Sequence, residues 1–247
     1  TRIDKLKISK EGKIKSVLTN QGVIDGDIFI LAGGVEGSNN ILRKVNIEYE
    51  NRFYDKGALG NGIADHINFR LNIKSKKPYG SINEIWDNKL KQTVLAMRHI
   101  FGERTILGGT GATSAVNLDL NKDGIVDTRI NLIAYSEASG HYLNEQGQFD
   151  NGPGFCFSIS TIDPKSRGSI IWDENNQKIY PNYLDNSDDQ KLAKLGLLKA
   201  MEIAESSEMS EFVDGYTEIE KIKVDPENYI RETFQSGHHL IGGAAKI

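Results

Sequence analysis

The run Asp27-Ile28-Phe29-Ile30-Leu31-Ala32, closed by Gly33-Gly34, constrains this 247-residue chain more than any other segment. A short, nearly continuous apolar run that ends in glycines reads as a strand buried on both faces, the kind found in a parallel sheet covered by helices. Before it, residues 2–8 and 12–19 alternate apolar and polar side chains around Glu11-Gly12, which predicts a hairpin. After it, Gly37 to Lys44 has helical character. Hairpin, buried strand, glycine turn and helix together predict the edge of a nucleotide-binding α/β unit.

From about Ile67 the pattern changes. Ile67–Ile73 and Thr128–Ile133 alternate apolar and polar residues, as strands of an antiparallel sheet with one wet face do. Further strands are expected at Gly154–Ile162 and Gly168–Trp172. A helix is predicted from about Asp188 to Ser206, started by the capping box Ser187-Asp188-Asp189-Gln190. Its buried stripe is Ala193, Leu197, Ala200, Met201 and Ala204. A second short helix is expected over Glu227–Phe234, ahead of a Gly237-His238-His239 turn.

Composition excludes several classes of function. The net charge of −4 carries no basic footprint for nucleic acid. No apolar run is long enough to span a bilayer. Cys156 stands alone, which rules out an internal disulfide framework and fits a reducing, cytoplasmic compartment and a soluble protein.

Two segments imitate ligand loops. Leu107–Thr113 is glycine-rich, but it lacks the spacing of a phosphate loop and sits among predicted antiparallel strands. Asp119–Asp127 has oxygen-bearing side chains at alternate positions and Gly124 sixth, as in a calcium loop, but its twelfth position is Ile130. A hairpin turn on Asp123-Gly124 accounts for the same residues. No metal is assigned.

Four stretches, in order, resemble the glucose–methanol–choline oxidoreductase family. Ile30–Leu42, with its Gly33-Gly34-Val35-Glu36 core, is similar to the strand–glycine–helix segment beside FAD, and is closest to the sugar-oxidising members. Gly60–His66 resembles the Gly…Asp-His element where the chain leaves the flavin domain. Ser166–Ile170 with Pro181–Leu184 and Asp188-Asp189 looks like the substrate-domain pattern, and His239-Leu240-Ile241-Gly242 matches the His-x-x-Gly element of the catalytic histidine.

The resemblance implies an α/β FAD/NAD(P)-binding-type domain, partial here, with an α+β, mainly antiparallel substrate-binding domain. The boundaries it implies are 1–66 for the first, 67–232 for the second, and 233–247 for the return to the flavin side. It implies FAD as cofactor, a small-molecule sugar or other alcohol as substrate, and hydride transfer from a CH–OH group to flavin. Gly33, Gly34 and Ser38 would lie against the cofactor. His239 would be the base, with His238 either a second polar contact or the base itself, because one residue of alignment separates them. Asp65-His66 reads as a turn pair with no catalytic role. The electron acceptor stays open among oxygen, a quinone and a cytochrome.

The family's opening Gly-x-Gly-x-x-Gly turn has no counterpart in the sequence, Thr1 is not Met, and Gly242–Ile247 reads as an element cut short. The chain is therefore expected to be an internal piece that holds FAD poorly and is inactive by itself. Two other readings remain open at this point: a non-catalytic carbohydrate- or calcium-binding module, and another flavoprotein class such as an amine oxidase.

Overall fold

A computed structural model describes residues 2–48, 58–78, 80–86, 88–109, 111–138, 149–173 and 176–244. The Thr110 of the glycine-rich loop and the final Ala245-Lys246-Ile247 lie outside the described residues. In chain order the elements begin with strands β1 (Ile3–Ile8), β2 (Ile14–Thr19) and β3 (Gly22–Asp25), then helix α1 (Gly34–Glu48) and strands β4 (Asn61–Ile63) and β5 (Ile67–Ser75). Helices α2 (Ile82–Trp86) and α3 (Lys89–Ile100) precede β6 (Ala112–Leu118), β7 (Thr128–Ile133), β8 (Gly154–Thr161), β9 (Gly168–Asp173) and β10 (Asn176–Tyr180). Helix α4 (Ser187–Ala204), β11 (Val213–Tyr216), α5 (Ile219–Val224), α6 (Pro226–Thr233) and β12 (Gln235–Ser236) follow.

The chain forms two compact units. The first comprises Thr1–Asp65, Ser166–Tyr183 and His239–Ile247, and the second His66–Lys165 and Leu184–His238. These units distribute the chain differently from the sequence division at two places. Strand β9 pairs with β4, so the β9–β10 hairpin joins the first unit. Strand β12 pairs with β5, which keeps 233–238 in the second.

In the first unit, β1, β2 and β3 form an antiparallel meander, with Gly12 at φ 83° turning the expected hairpin. Leu6, Val17 and Val45 form its small core beneath α1, with Ile8, Ile14, Phe29 and Ile41 against them. The predicted buried parallel strand is corrected. Residues 27–32 form no strand, and Ile28 and Ile30 are 83% and 85% exposed. A doubly buried strand needs hydrogen-bonded neighbours and helices on both faces. No described residues supply them, and every described strand pairing is antiparallel.

The second unit is built on a sheet of order β11-β5-β8-β7-β6, with β12 beside β5. Register sets its two faces. Phe69, Leu71 and Ile73 stand opposite Ile159, Phe157 and Phe155, and Ile130 stands opposite Ile159. Helix α4 covers this apolar face, and a Cβ on its Gly196 would meet Ile159 at 2.9 Å and Thr128 at 3.4 Å. The close contact explains glycine inside a long helix, where it is otherwise destabilising.

Helix α4 buries Ala193, Leu197, Ala200 and Ala204 as expected, while Met201 is only half-buried. Its N-cap is Asn186, whose side chain accepts from the Asp188 amide, not Ser187. The second predicted helix is α6, capped by the Asp225 side chain with Pro226 in its first turn. Among the described residues no helix is long and apolar enough to cross a membrane.

Candidate functional site

Within the first unit, three of the four motif stretches converge on a single carboxylate and the fourth braces the same loop. Ala64 and Ile241 exchange backbone hydrogen bonds of 3.0 and 2.8 Å, and the Gly60 amide donates to the Gly243 carbonyl at 2.6 Å. The segment carrying His239 is thereby laid antiparallel to the segment carrying Asp65. Gly242 adopts φ 90°, and a Cβ there would stand 2.6 Å from the Gly62 carbonyl oxygen, so the glycine of His-x-x-Gly is required sterically. Asn39 of α1 is fully buried and donates from Nδ2 to the carbonyls of Val35 at 2.7 Å and Gly242 at 3.4 Å.

Asp65 is buried. Its Oδ2 accepts from the Tyr183 hydroxyl at 2.6 Å and its Oδ1 from the His239 amide at 3.1 Å. The Ser166–Ile170 and Pro181–Leu184 stretches deliver Tyr183. A Cβ on Gly168 would collide with the Tyr180 carbonyl at 2.2 Å, and Asn182, at φ 54°, donates to the Arg167 carbonyl at 3.2 Å. Asp65 thus has a structural task that its local sequence does not reveal. It fixes the backbone of His239 while the imidazole remains exposed.

His238 is exposed too and takes φ 60°, an uncommon conformation for a residue with a Cβ. Its amide donates to the Ser236 hydroxyl at 2.9 Å. The candidate cofactor residues lie at the start of α1. Gly33 and Gly34 are exposed and Ser38 is half-buried. Gly34 takes φ 68° with nothing within 4 Å of where a Cβ would be, and the same space is open at Gly37. A flat group can approach this bare backbone, so these residues fit contact with a flavin edge. The acidic Glu36 in the first turn makes the same end a poor seat for pyrophosphate.

The second unit holds a polar constellation that its alternating pattern only hinted at. Opposite the α4 face, β5 presents Asn68, Arg70 and Asn72, β8 presents Cys156, Ser158 and Ser160, and β7 presents Arg129 and Asn131. This face was expected to be wet. Instead Arg70, Asn72, Ser158 and Ser160 are buried. Arg70 forms an ion pair with the buried Glu137 and lies 5.2 Å over the Tyr135 ring. Asn72 Oδ1 accepts from the Glu137 amide at 3.1 Å, while its Nδ2 is buried with no hydrogen-bond partner among the described residues. Ser158 donates to Asn68 Oδ1 at 2.5 Å, and the exposed Arg129 donates to Asn131 Oδ1 at 2.9 Å. Burial pushes the Cys156 thiol up to about 12, which excludes it as a nucleophile.

The two imitation loops resolve as turns. Ile106–Gly108 is a single 3-10 turn ahead of β6. In the β6–β7 connection, Asp119, Asn121, Asp123 and Asp127 accept from backbone amides of the loop itself, which accounts for those residues without an ion. Among the described residues no cluster of three or more His, Cys, Asp or Glu is placed to hold a metal.

Neither a protein-family model nor a curated protein matches this chain. Solved structures do. Pyridoxine 4-oxidase from Mesorbium loti superposes with a TM-score of 0.69 at 15% identity, over 98% of this chain and 46% of its own. Formate oxidase from Aspergillus oryzae RIB40, in a structure concerned with FAD modification, gives 0.77 at 15%, over 98% and 50%. An FAD-dependent oxidoreductase from Chaetomium thermophilum gives 0.72 at 12%, over 98% and 51%. The chain has the fold of these oxidoreductases. It spans about half the length of each.

Proposed function

We propose that this chain is part of an FAD-dependent oxidoreductase that oxidises a CH–OH group of a sugar or other alcohol. The observation that carries the reading is the tie of His239 to Asp65 and Tyr183, in a chain whose fold is that of FAD-dependent oxidoreductases. Bound FAD would supply the hydride acceptor. The chain's own residues do the rest.

His239 accepts the hydroxyl proton as the carbon–hydrogen bond breaks, a neutral imidazole having one ring nitrogen free to take it. Asp65 holds its backbone amide, and Tyr183 bonds to the other oxygen of the same carboxylate. His238 is the alternative base, and its left-handed backbone is of the kind that persists where a site dictates it. Gly33, Gly34 and Ser38 would hold the cofactor at the start of α1.

The test is the rate of flavin reduction under anaerobic stopped flow, in the natural gene product that carries this chain, with a panel of sugars and alcohols. His239→Asn is expected to slow reduction by about 10²–10⁴-fold, as loss of a general base does, with flavin content unchanged. The same loss in His238→Asn alone moves the base by one residue. Rapid reduction in both variants sinks the proposed chemistry.

A further inference from the structure

Helix α3 buries no residue. Its inner side, Leu95 and Ala96, lines a groove of about 800 Å³ with Ile85, Trp86 and Ile106. Its outer side carries Leu90, Val94, Met97 and the capping Phe101, spaced i, i+4, i+7 and i+11. At 3.6 residues per turn these four fall within an arc of about 60°. All four are exposed, Leu90 by 74% and Phe101 by 76%, and so is Ile100. Soluble surfaces scatter single apolar residues but rarely align them along a helix that contributes nothing to the core.

Charge decides which partner fits. Helix α3 holds Lys89, Lys91 and Arg98 and no acidic residue, in a chain of net charge −4. On the helical wheel Lys91 and Arg98 flank one side of the apolar arc and Lys89 the other. Lys91 faces Glu84 at 3.8 Å and Arg98 faces Glu103 at 2.6 Å, but both pairs are solvent-exposed and therefore weak. An apolar stripe with Phe101 at one end, bordered on both sides by cations, matches the headgroup–acyl boundary of an anionic bilayer. A second copy meeting the same helix would find no acidic complement on it. The geometry points to α3 as a peripheral membrane anchor that lies flat on an anionic lipid surface, with Leu90, Val94, Met97 and Phe101 immersed and the cations at the headgroups. This inference does not depend on the oxidoreductase reading.

Co-sedimentation of the natural gene product with vesicles tests it. Vesicles of phosphatidylglycerol mixed equally with phosphatidylcholine are expected to carry the protein down, and pure phosphatidylcholine is not. Replacing Lys89, Lys91 and Arg98 with Gln should lower partitioning by about a hundredfold, from the roughly fivefold each that a basic residue contributes near such a surface. Leu90→Gln with Met97→Gln should lower it at least tenfold. Because α3 buries nothing, both variants keep the wild-type melting temperature, which separates lost binding from lost fold. Failure of the wild type to sediment with anionic vesicles overturns the inference, as does binding that neither variant weakens. Variants that change only the oligomeric size of the protein overturn it as well, by assigning the stripe to a second copy.

Discussion

The buried pair Arg70–Glu137 offers the sharpest perturbation. Their side chains are 6% and 0% exposed, so neither charge is solvated by bulk water. Arg70→Met removes the guanidinium and leaves the Glu137 carboxylate behind. Breaking a buried pair from one side costs about 3–5 kcal/mol, which for a chain of this length lowers Tm by roughly 6–20 °C. The sign of the pH dependence follows. Without Arg70 the folded state favours the protonated carboxyl, so the Glu137 pKa rises above its unfolded value. The variant is then least impaired at acidic pH and loses stability as pH rises through that raised pKa. Removing both charges, as Arg70→Met with Glu137→Leu, should restore stability to within about 1 kcal/mol of wild type, because no uncompensated charge remains. Thermal and urea unfolding at pH 5 and pH 8 reads all three proteins. A single variant within about 1 kcal/mol of wild type at pH 8, or a double variant as impaired as the single, would refute the reasoning.

Three other perturbations follow from the same structure. Tyr183→Phe deletes the hydroxyl donated to Asp65 at 2.6 Å and should cost about 1.5–3 kcal/mol, with flavin reduction slowed while flavin content holds; unchanged stability would remove Asp65 from its positioning role. Gly242→Ala forces a Cβ to 2.6 Å from the Gly62 carbonyl at φ 90°, so it should destabilise the His239 segment by at least about 1 kcal/mol, visible as faster amide exchange at His239 and Ile241. Burial raises Cys156 from 9.0 to about 12 and pushes Tyr229 upward as well, so the folded state keeps these protons longer than the unfolded one. Stability should fall as pH rises above about 9 for Cys156 and above about 10 for Tyr229, by up to about 1.4 kcal/mol per pH unit for each group, and Cys156→Ala should flatten the decline.

What was legible in the sequence was local. The β1–β2 hairpin, β8, β9, α4 and α6 each declare themselves through a period of 2 or 3.6 and a turn or cap within a few residues. The α4 cap moved from Ser187 to Asn186 because both residue types serve and only backbone geometry chooses. The 27–32 run misled because apolarity states a demand for burial without saying what meets it. The role of Asp65 was illegible because its partners lie 118 and 174 residues away, and Arg70 and Glu137 stand 67 apart with no spacing rule to join them. The motif resemblance reached the neighbourhood of His239, but the carboxylate that holds it emerged only in three dimensions.

The most direct test of the central claim is an absorbance spectrum of the purified natural gene product, recorded anaerobically before and after each member of a sugar and alcohol panel. The account predicts a flavin band near roughly 450 nm that bleaches with one class of hydroxylated substrate, flavin being the group that takes the hydride. A folded protein with no flavin, or a flavin that no CH–OH donor reduces, would contradict it.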